Sequence, residues 1–234
     1  PIVGGSILNH EHFQGGKEIL PLLRAPIKRK IETSDYGAEL FEVDFYHTCL
    51  VVIGEDKGSV AALAEKIRKA WRSHNDEENG IIAKTGDGVE HNTLTPIVRK
   101  FGKEYRLYLV LRNNRCDKDY PDGIFHAHRE YFHIKSEGIG LIEASGLFVL
   151  PARLKRQGKA IEKAVGDELG FNQAQARYKD LSGFKDMYDS LAGGTSMERY
   201  MAEVCRKILI NVSVYKKDEK GRAGLNRFLE EALS

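Results

Sequence analysis

Glu104-Tyr-Arg-Leu-Tyr-Leu-Val-Leu-Arg112 is the clearest strand in the chain. Its period of two sends Tyr105, Leu107, Leu109 and Leu111 to one face, and Arg106, Tyr108, Val110 and Arg112 to the other. The run ends in Arg112-Asn113-Asn114, which would bring a guanidinium and two amides to a sheet edge. That chemistry suits phosphate and sugar hydroxyls. A plain turn with Asn in left-handed geometry is the competing reading.

Working outward, Phe41, Val43 and Phe45 alternate with Glu42 and Asp44, and Leu50-Val-Val-Ile53 is a short buried-type run. A helix follows from Ser59, a plausible N-cap, to Ser73. It carries Val60, Leu63, Ala64, Ile67, Ala70 and Trp71 on one face, and Trp71 reads as core rather than as a base-stacking platform. Ile81–Lys84 and Glu90–Thr95 read as hairpin arms around Gly86-Asp-Gly88. Ile139 to Leu150 reads as a buried apolar strand that breaks at Gly146 and stops at Pro151. Lys17 to Lys30 reads as a connection whose positive tip, Lys28-Arg29-Lys30, is solvated or, less simply, holds phosphate.

Beyond residue 155 the pattern changes to charged segments of helical period, at 158–168, 174–191, 197–216 and 221–233. Met197, Tyr200, Met201, Val204 and Ile208 form an apolar packing stripe there. The fold class expected is therefore α+β, with an antiparallel sheet built from 2–14, 39–53, 81–95, 104–112 and 139–150. Helices would pack on that sheet and form the C-terminal region. We read 1–154 as one α+β unit and 155–234 as a helical extension on the same core.

A hydrophobic fraction of 41% and a charged fraction of 30% suit a globular protein with a real core. The net charge of +2 makes no case for nucleic-acid binding, and a sugar nucleotide needs only a local cluster of positive charge. Cys49, Cys116 and Cys205 are scattered, which argues against a disulfide framework or thiolate zinc site and fits a reducing cytoplasm. No apolar run approaches membrane-spanning length. There is no P-loop and no repeat.

The chemistry-bearing motif is Ile7-Leu-Asn-His-Glu-His-Phe-Gln14, with glycine pairs at Gly4-Gly5 and Gly15-Gly16. On a strand, His10, His12 and Gln14 share a face. Two imidazoles and a carboxamide can attack phosphorus, hold the attacking tautomer and donate to charged phosphoryl oxygens. The competing readings are a structural pair or a metal site. A second His-x-His, His126-Ala-His128, precedes His133 and Lys135. It is compatible with a metal site, a phosphate site or a chance loop composition.

The whole of Pro1-Ile-Val-Gly-Gly-Ser-Ile-Leu-Asn-His-Glu-His-Phe-Gln-Gly-Gly16 resembles the signature of the class II galactose-1-phosphate uridylyltransferases. So do His91-Asn-Thr-Leu-Thr-Pro-Ile97, Leu111-Arg-Asn-Asn114, His133-Ile-Lys-Ser-Glu-Gly-Ile-Gly-Leu-Ile-Glu143 and Gly146-Leu-Phe-Val-Leu-Pro-Ala-Arg-Leu154, in the family's order. In that family the signature lies well inside a longer enzyme. The resemblance therefore implies a C-terminal half, with an N-terminal half as its partner, and a histidine-triad-like sheet.

The activity it implies is transfer of a uridylyl group from UDP-glucose to galactose 1-phosphate in galactose metabolism. His12 would be the nucleophile, Gln14 would bond the α-phosphoryl oxygens, and His10 would be a positioning group or, as in class I relatives, a metal ligand. Arg112, Asn113, Asn114, Lys135 and Glu143 would contact substrate. No cofactor is firmly implied, and a divalent structural metal and a homodimer stay open. Class I relatives place a phosphate-contacting Ser three residues before the first His, whereas Ser6 lies four before His10. Two alternatives stand beside this reading: another histidine-triad-type nucleotide hydrolase or phosphorylase, and a non-catalytic sugar-phosphate-binding or assembly domain.

Overall fold

The structure, a computed structural model, describes residues 13–234. Its centre is a five-stranded sheet of order β1-β2-β3-β5-β4, with every neighbouring pair antiparallel. The strands are β1 (Ile27–Ile31), β2 (Glu39–Val43), β3 (Cys49–Gly54), β4 (Asn92–Phe101) and β5 (Glu104–Asn113). The fold is α+β, as the strand and helix patterns require. The alternating stretch at 104–112 is β5, and it lies inside the sheet between β3 and β4.

Each face of β5 builds a different core. Leu109 and Leu111 join Leu50 and Val52 under α2 (Lys57–Ser73) and α8 (Glu219–Leu233). Tyr108 and Val110 join Val43, Cys49 and Val51 on the opposite face, covered by Leu22 and Leu23 of α1 (Pro21–Arg24). Trp71 is fully buried in the first core. Its indole N–H reaches the carbonyls of Thr93 (2.9 Å) and Arg112 (3.2 Å), so it ties α2 to β4 and β5. The helix begins two residues before the expected cap. Asp56 is the N-cap, its carboxylate accepting from the Ser59 N–H at 2.7 Å, which satisfies one orphan donor of the first turn.

The helical region comprises α4 (Arg153–Gly166), α5 (Phe171–Arg177), α6 (Lys185–Ala192) and α7 (Met197–Val212) before α8. Val204 and Ile208 are buried in a third apolar cluster with Leu154, Ile161, Phe184 and Met187, and Met197, Tyr200 and Met201 pack against it. The expected packing stripe is thus a packing stripe. Ala127, Ile134, Ile139 and Ala144 join the same cluster, while α8 returns to the sheet.

Three local expectations are corrected. The stretch 139–150 is not a strand: Leu141–Ala144 is a single helical turn, α3, capped by Glu143, whose carboxylate accepts from the Gly140 N–H (3.2 Å). The carbonyls of Ile139 and Ala144 are taken by the side chains of Arg112 and His47, so they are not available to a ladder. The segment 81–95 makes only isolated bridges before β4 begins at Asn92. There the Ala83 N–H donates to the Asn75 side chain, and the Ile82 carbonyl accepts from that of Asn113. Lys28-Arg29-Lys30 is not a loop tip but part of edge strand β1. Glu42 binds Lys28 (2.6 Å) and Arg29 (2.7 Å), and Glu39 binds Lys30 (2.5 Å), so these charges already have carboxylate partners. The expected strand over 2–14 falls almost wholly outside the described residues. No described helix is long and apolar enough to cross a membrane.

Candidate active site

His10 and His12, with Ser6, lie outside the described residues. Gln14 is exposed, and just beyond it the Arg99 guanidinium donates to the carbonyls of Gly16 (2.9 Å) and Lys17 (2.7 Å). Arg99 belongs to edge strand β4, so the chain leaves the motif alongside that edge.

The end of β5 splits its three polar residues. Arg112 lies on the Tyr108–Val110 face and is fully buried. Extending the β3–β5 register by two residues past the Cys49–Val110 pair sets His47 opposite Arg112. Both residues grip the α3 segment: Arg112 donates to the Ile139 carbonyl (3.1 Å), and His47 Nε2 lies 2.5 Å from the Ala144 carbonyl. The remaining guanidinium nitrogens, His47 Nδ1 and His126 Nε2 have no hydrogen-bond partner among the described residues. Burial pushes the His47 imidazole down to about 4 and the Arg112 guanidinium down to about 10. The sequence drew no attention to His47, because only the strand register brings it to Arg112.

Asn113 and Asn114 serve the other side. Asn113 donates to the side chain of Asn92 (2.7 Å) and the Ile82 carbonyl (3.0 Å), and accepts from the Arg115 N–H (2.9 Å). Asn114 Oδ1 lies 2.8 Å from His91 Nδ1, and His91 Nε2 lies 2.9 Å from the Thr85 hydroxyl. His91 and Asn114 line a cavity of about 430 Å³ between α2 and β4, with Leu94 and Leu107 on its apolar side. Two segments singled out in the sequence, 91–97 and 111–114, therefore meet at one cavity.

Lys135 and Glu143 come together. Lys135 Nζ donates to Glu143 Oε1 (3.3 Å) and to the Val149 carbonyl (3.3 Å), with Glu137 at 3.8 Å. α3 supplies Glu143, and Arg112 and His47 fix the ends of α3. His126 and His128 each face a backbone carbonyl, of Ala127 (3.3 Å) and Ile124 (3.1 Å). Among the described residues, no three His, Cys, Asp or Glu side chains converge as a metal site would require.

The chain is similar along 99% of its length to curated galactose-1-phosphate uridylyltransferases. It is 39% identical to those of Ligilactobacillus salivarius and Bacillus subtilis, over 237 and 241 aligned residues. It is 38% identical to that of Streptococcus thermophilus over 234 residues, covering 98% of the chain. In each case the match covers 47% of the relative, so the chain spans about half the length of these proteins. The matched part is their C-terminal half. No family model matches the chain, and no solved structure matches it significantly.

Proposed function

We propose that this chain is the C-terminal part of an enzyme that moves a uridylyl group from UDP-glucose to galactose 1-phosphate. The observation that carries the reading is end-to-end similarity at 36–39% identity to proteins named for that activity. In the reaction, a ring nitrogen of His12 attacks the α-phosphorus of UDP-glucose. The bond from that phosphorus to the bridging oxygen breaks, and glucose 1-phosphate leaves with the electron pair. A phosphate oxygen of galactose 1-phosphate then attacks the uridylyl–His12 intermediate, releasing UDP-galactose and the free imidazole. An imidazole suits both steps because the N–P bond it forms is itself energy-rich, so transfer stays near balance in either direction. Gln14 would donate to the α-phosphoryl oxygens, where charge must be held through both steps, and His10 would orient His12.

Two sets of contacts among the described residues support this reading. Arg99 holds the chain just after the motif against β4, while Arg112 and His47 hold the α3 segment that presents Glu143 to Lys135. Because the match covers 47% of the relatives, a partner region in the same enzyme completes the nucleotide site in this reading. A chain that binds sugar phosphate without turnover is the second reading, favoured by that same partial coverage. Intact mass after mixing the chain with UDP-glucose separates the two. A uridylyl adduct on the wild type but not on His12→Asn supports the transferase chemistry in this chain. An adduct of equal yield on both would sink the nucleophile assignment.

A further inference from the structure

β4 is an outer strand of the sheet, and the C-terminal end of α2 is tied to its start. The Trp71 indole reaches the Thr93 carbonyl (2.9 Å), and the Asn92 side chain donates to the Trp71 carbonyl (2.7 Å). Farther along β4, Leu94, Pro96 and Val98 share the face of Leu111, Leu109 and Leu107, their partners in β5. There α2 contributes Ala61 and Ala64 to the wall, and side chains that short leave the cavity of about 430 Å³ unfilled. Pro96 is exposed and Val98 is 66% exposed, so the cavity runs out into an open apolar strip along the strand. The charged groups that line the cavity are already paired, Arg68 with Glu65 (2.6 Å) and Arg72 with Glu90. Both ring nitrogens of His91 are taken as well, by Asn114 and Thr85. No lining cation is left over for a phosphate, whereas an apolar side chain finds matching walls.

We propose that this groove is the docking surface for the other half of the longer enzyme, which enters it with large apolar side chains. The matched part of the relatives is their C-terminal half, so about half of such an enzyme precedes it. Arg99, next to Val98 in β4, holds the carbonyls of Gly16 and Lys17, so the polypeptide leading in is fastened at the strand that floors the groove. A short tether of this kind raises the local concentration of what it carries to the order of millimolar. Apolar anchors in a pocket, ringed by polar groups that exclude water, are the usual centre of such an interface. Pro96 has no N–H to give a further strand, and exposed Lys100 adds a charge to the edge. The partner therefore seats on the face by side-chain packing rather than by strand addition. The inference rests on the transferase reading in taking this chain as half of a longer enzyme, and it adds the surface on which the halves meet.

The test compares this chain alone with the longer enzyme, each carrying Val98→Cys, an exposed position where the substitution leaves the core untouched. Alkylation of that thiol by a maleimide is followed by mass spectrometry of the peptide that contains it, which separates it from the native Cys116. The thiol should react freely in the chain alone and about tenfold or more slowly in the longer enzyme, since a docked surface is labelled only when it opens. Equal rates in the two proteins would overturn the proposal. So would protection that develops in the chain alone as its concentration rises, because the groove would then belong to a second copy. The uridylyl adduct reports nucleotide chemistry and needs no measurement at Val98. Equal labelling therefore strikes the docking surface and leaves the transferase reading standing, while an equal adduct on His12→Asn does the reverse.

Discussion

Lys135 Nζ stands 3.3 Å from Glu143 Oε1, and both side chains are largely withdrawn from water. A cation and an anion that sequence alone would offer separately to a ligand are thus each other's partner in this structure. Glu143→Leu would leave the Lys135 ammonium without its nearest carboxylate and remove the cap of α3. We expect a loss of about 3 kcal/mol in urea unfolding, the cost of stranding a buried charge. A change within about 0.5 kcal/mol would show that the pair is solvated and exchanges readily with other partners.

His47 sets a pH dependence. Its imidazole titrates near 6.5 when unfolded and near 4 when folded, because burial penalises the charged form. The unfolded chain therefore binds the proton more readily. Stability from this group is fully present above about pH 6.5 and is lost as the pH falls through that window to about 4, by about 3 kcal/mol in all. His47→Gln should flatten that part of the stability–pH curve. An unchanged slope between pH 6.5 and 4 in the variant would assign the effect to other groups, with His126 and His133, both pushed down by burial, the first to examine.

Gly221 lies in the first turn of α8, where a Cβ would stand 2.0 Å from the Lys216 carbonyl oxygen and 2.6 Å from its nitrogen. Ala is the better helix former by about 1 kcal/mol, yet here the clash is with backbone that cannot swing aside. Gly221→Ala should therefore destabilise the protein by about 2 kcal/mol. Thermal or chemical unfolding reads this directly, and a gain in stability would mean that α8 sits less tightly against that turn.

Trp71→Phe should cost about 2 kcal/mol, combining lost volume in a fully buried site with carbonyls of Thr93 and Arg112 left without the indole donor. Hydrogen exchange of β5 amides should accelerate with it, since the indole N–H bridges that strand to β4 and α2. Unaltered β5 protection would mean that the indole packs there without bearing on the strand.

Under the transferase proposal, in which this chain is part of a longer enzyme, His12→Asn should abolish uridylyl exchange and Gln14→Ala should slow it on the order of 10²–10³-fold, the usual scale for one donor to a developing oxyanion. An isotope-exchange assay between glucose 1-phosphate and UDP-glucose measures the first half-reaction alone. Wild-type exchange in His12→Asn would remove the histidine from the nucleophile's role.

Periodicity was enough for the frame. The alternation of 104–112 identified β5, the apolar face of 59–73 identified α2 with Trp71 inward, and the stripe 197–208 identified a packing helix. These are local properties, because side-chain direction repeats every 2 or 3.6 residues whatever the rest of the chain does. The sequence similarly shows the His10–His12–Gln14 spacing and its resemblance to the uridylyltransferase signature, both readable without coordinates.

What only the tertiary structure decided is how polar residues are used. Arg112 and Asn114, two residues apart, serve opposite sides of the sheet: one grips the Ile139 carbonyl, the other pairs with His91 at the cavity under α2. Residues 139–150 are as apolar as a strand. Leu141–Ala144 forms a helical turn instead, because His47 and Arg112, 97 and 27 residues earlier than the carbonyls they bind, capture the backbone groups a ladder would need. Apolar burial follows pattern, since it is non-directional and any neighbour serves. A buried donor or acceptor must find one particular partner at about 3 Å, and only the folded chain determines which partner is there.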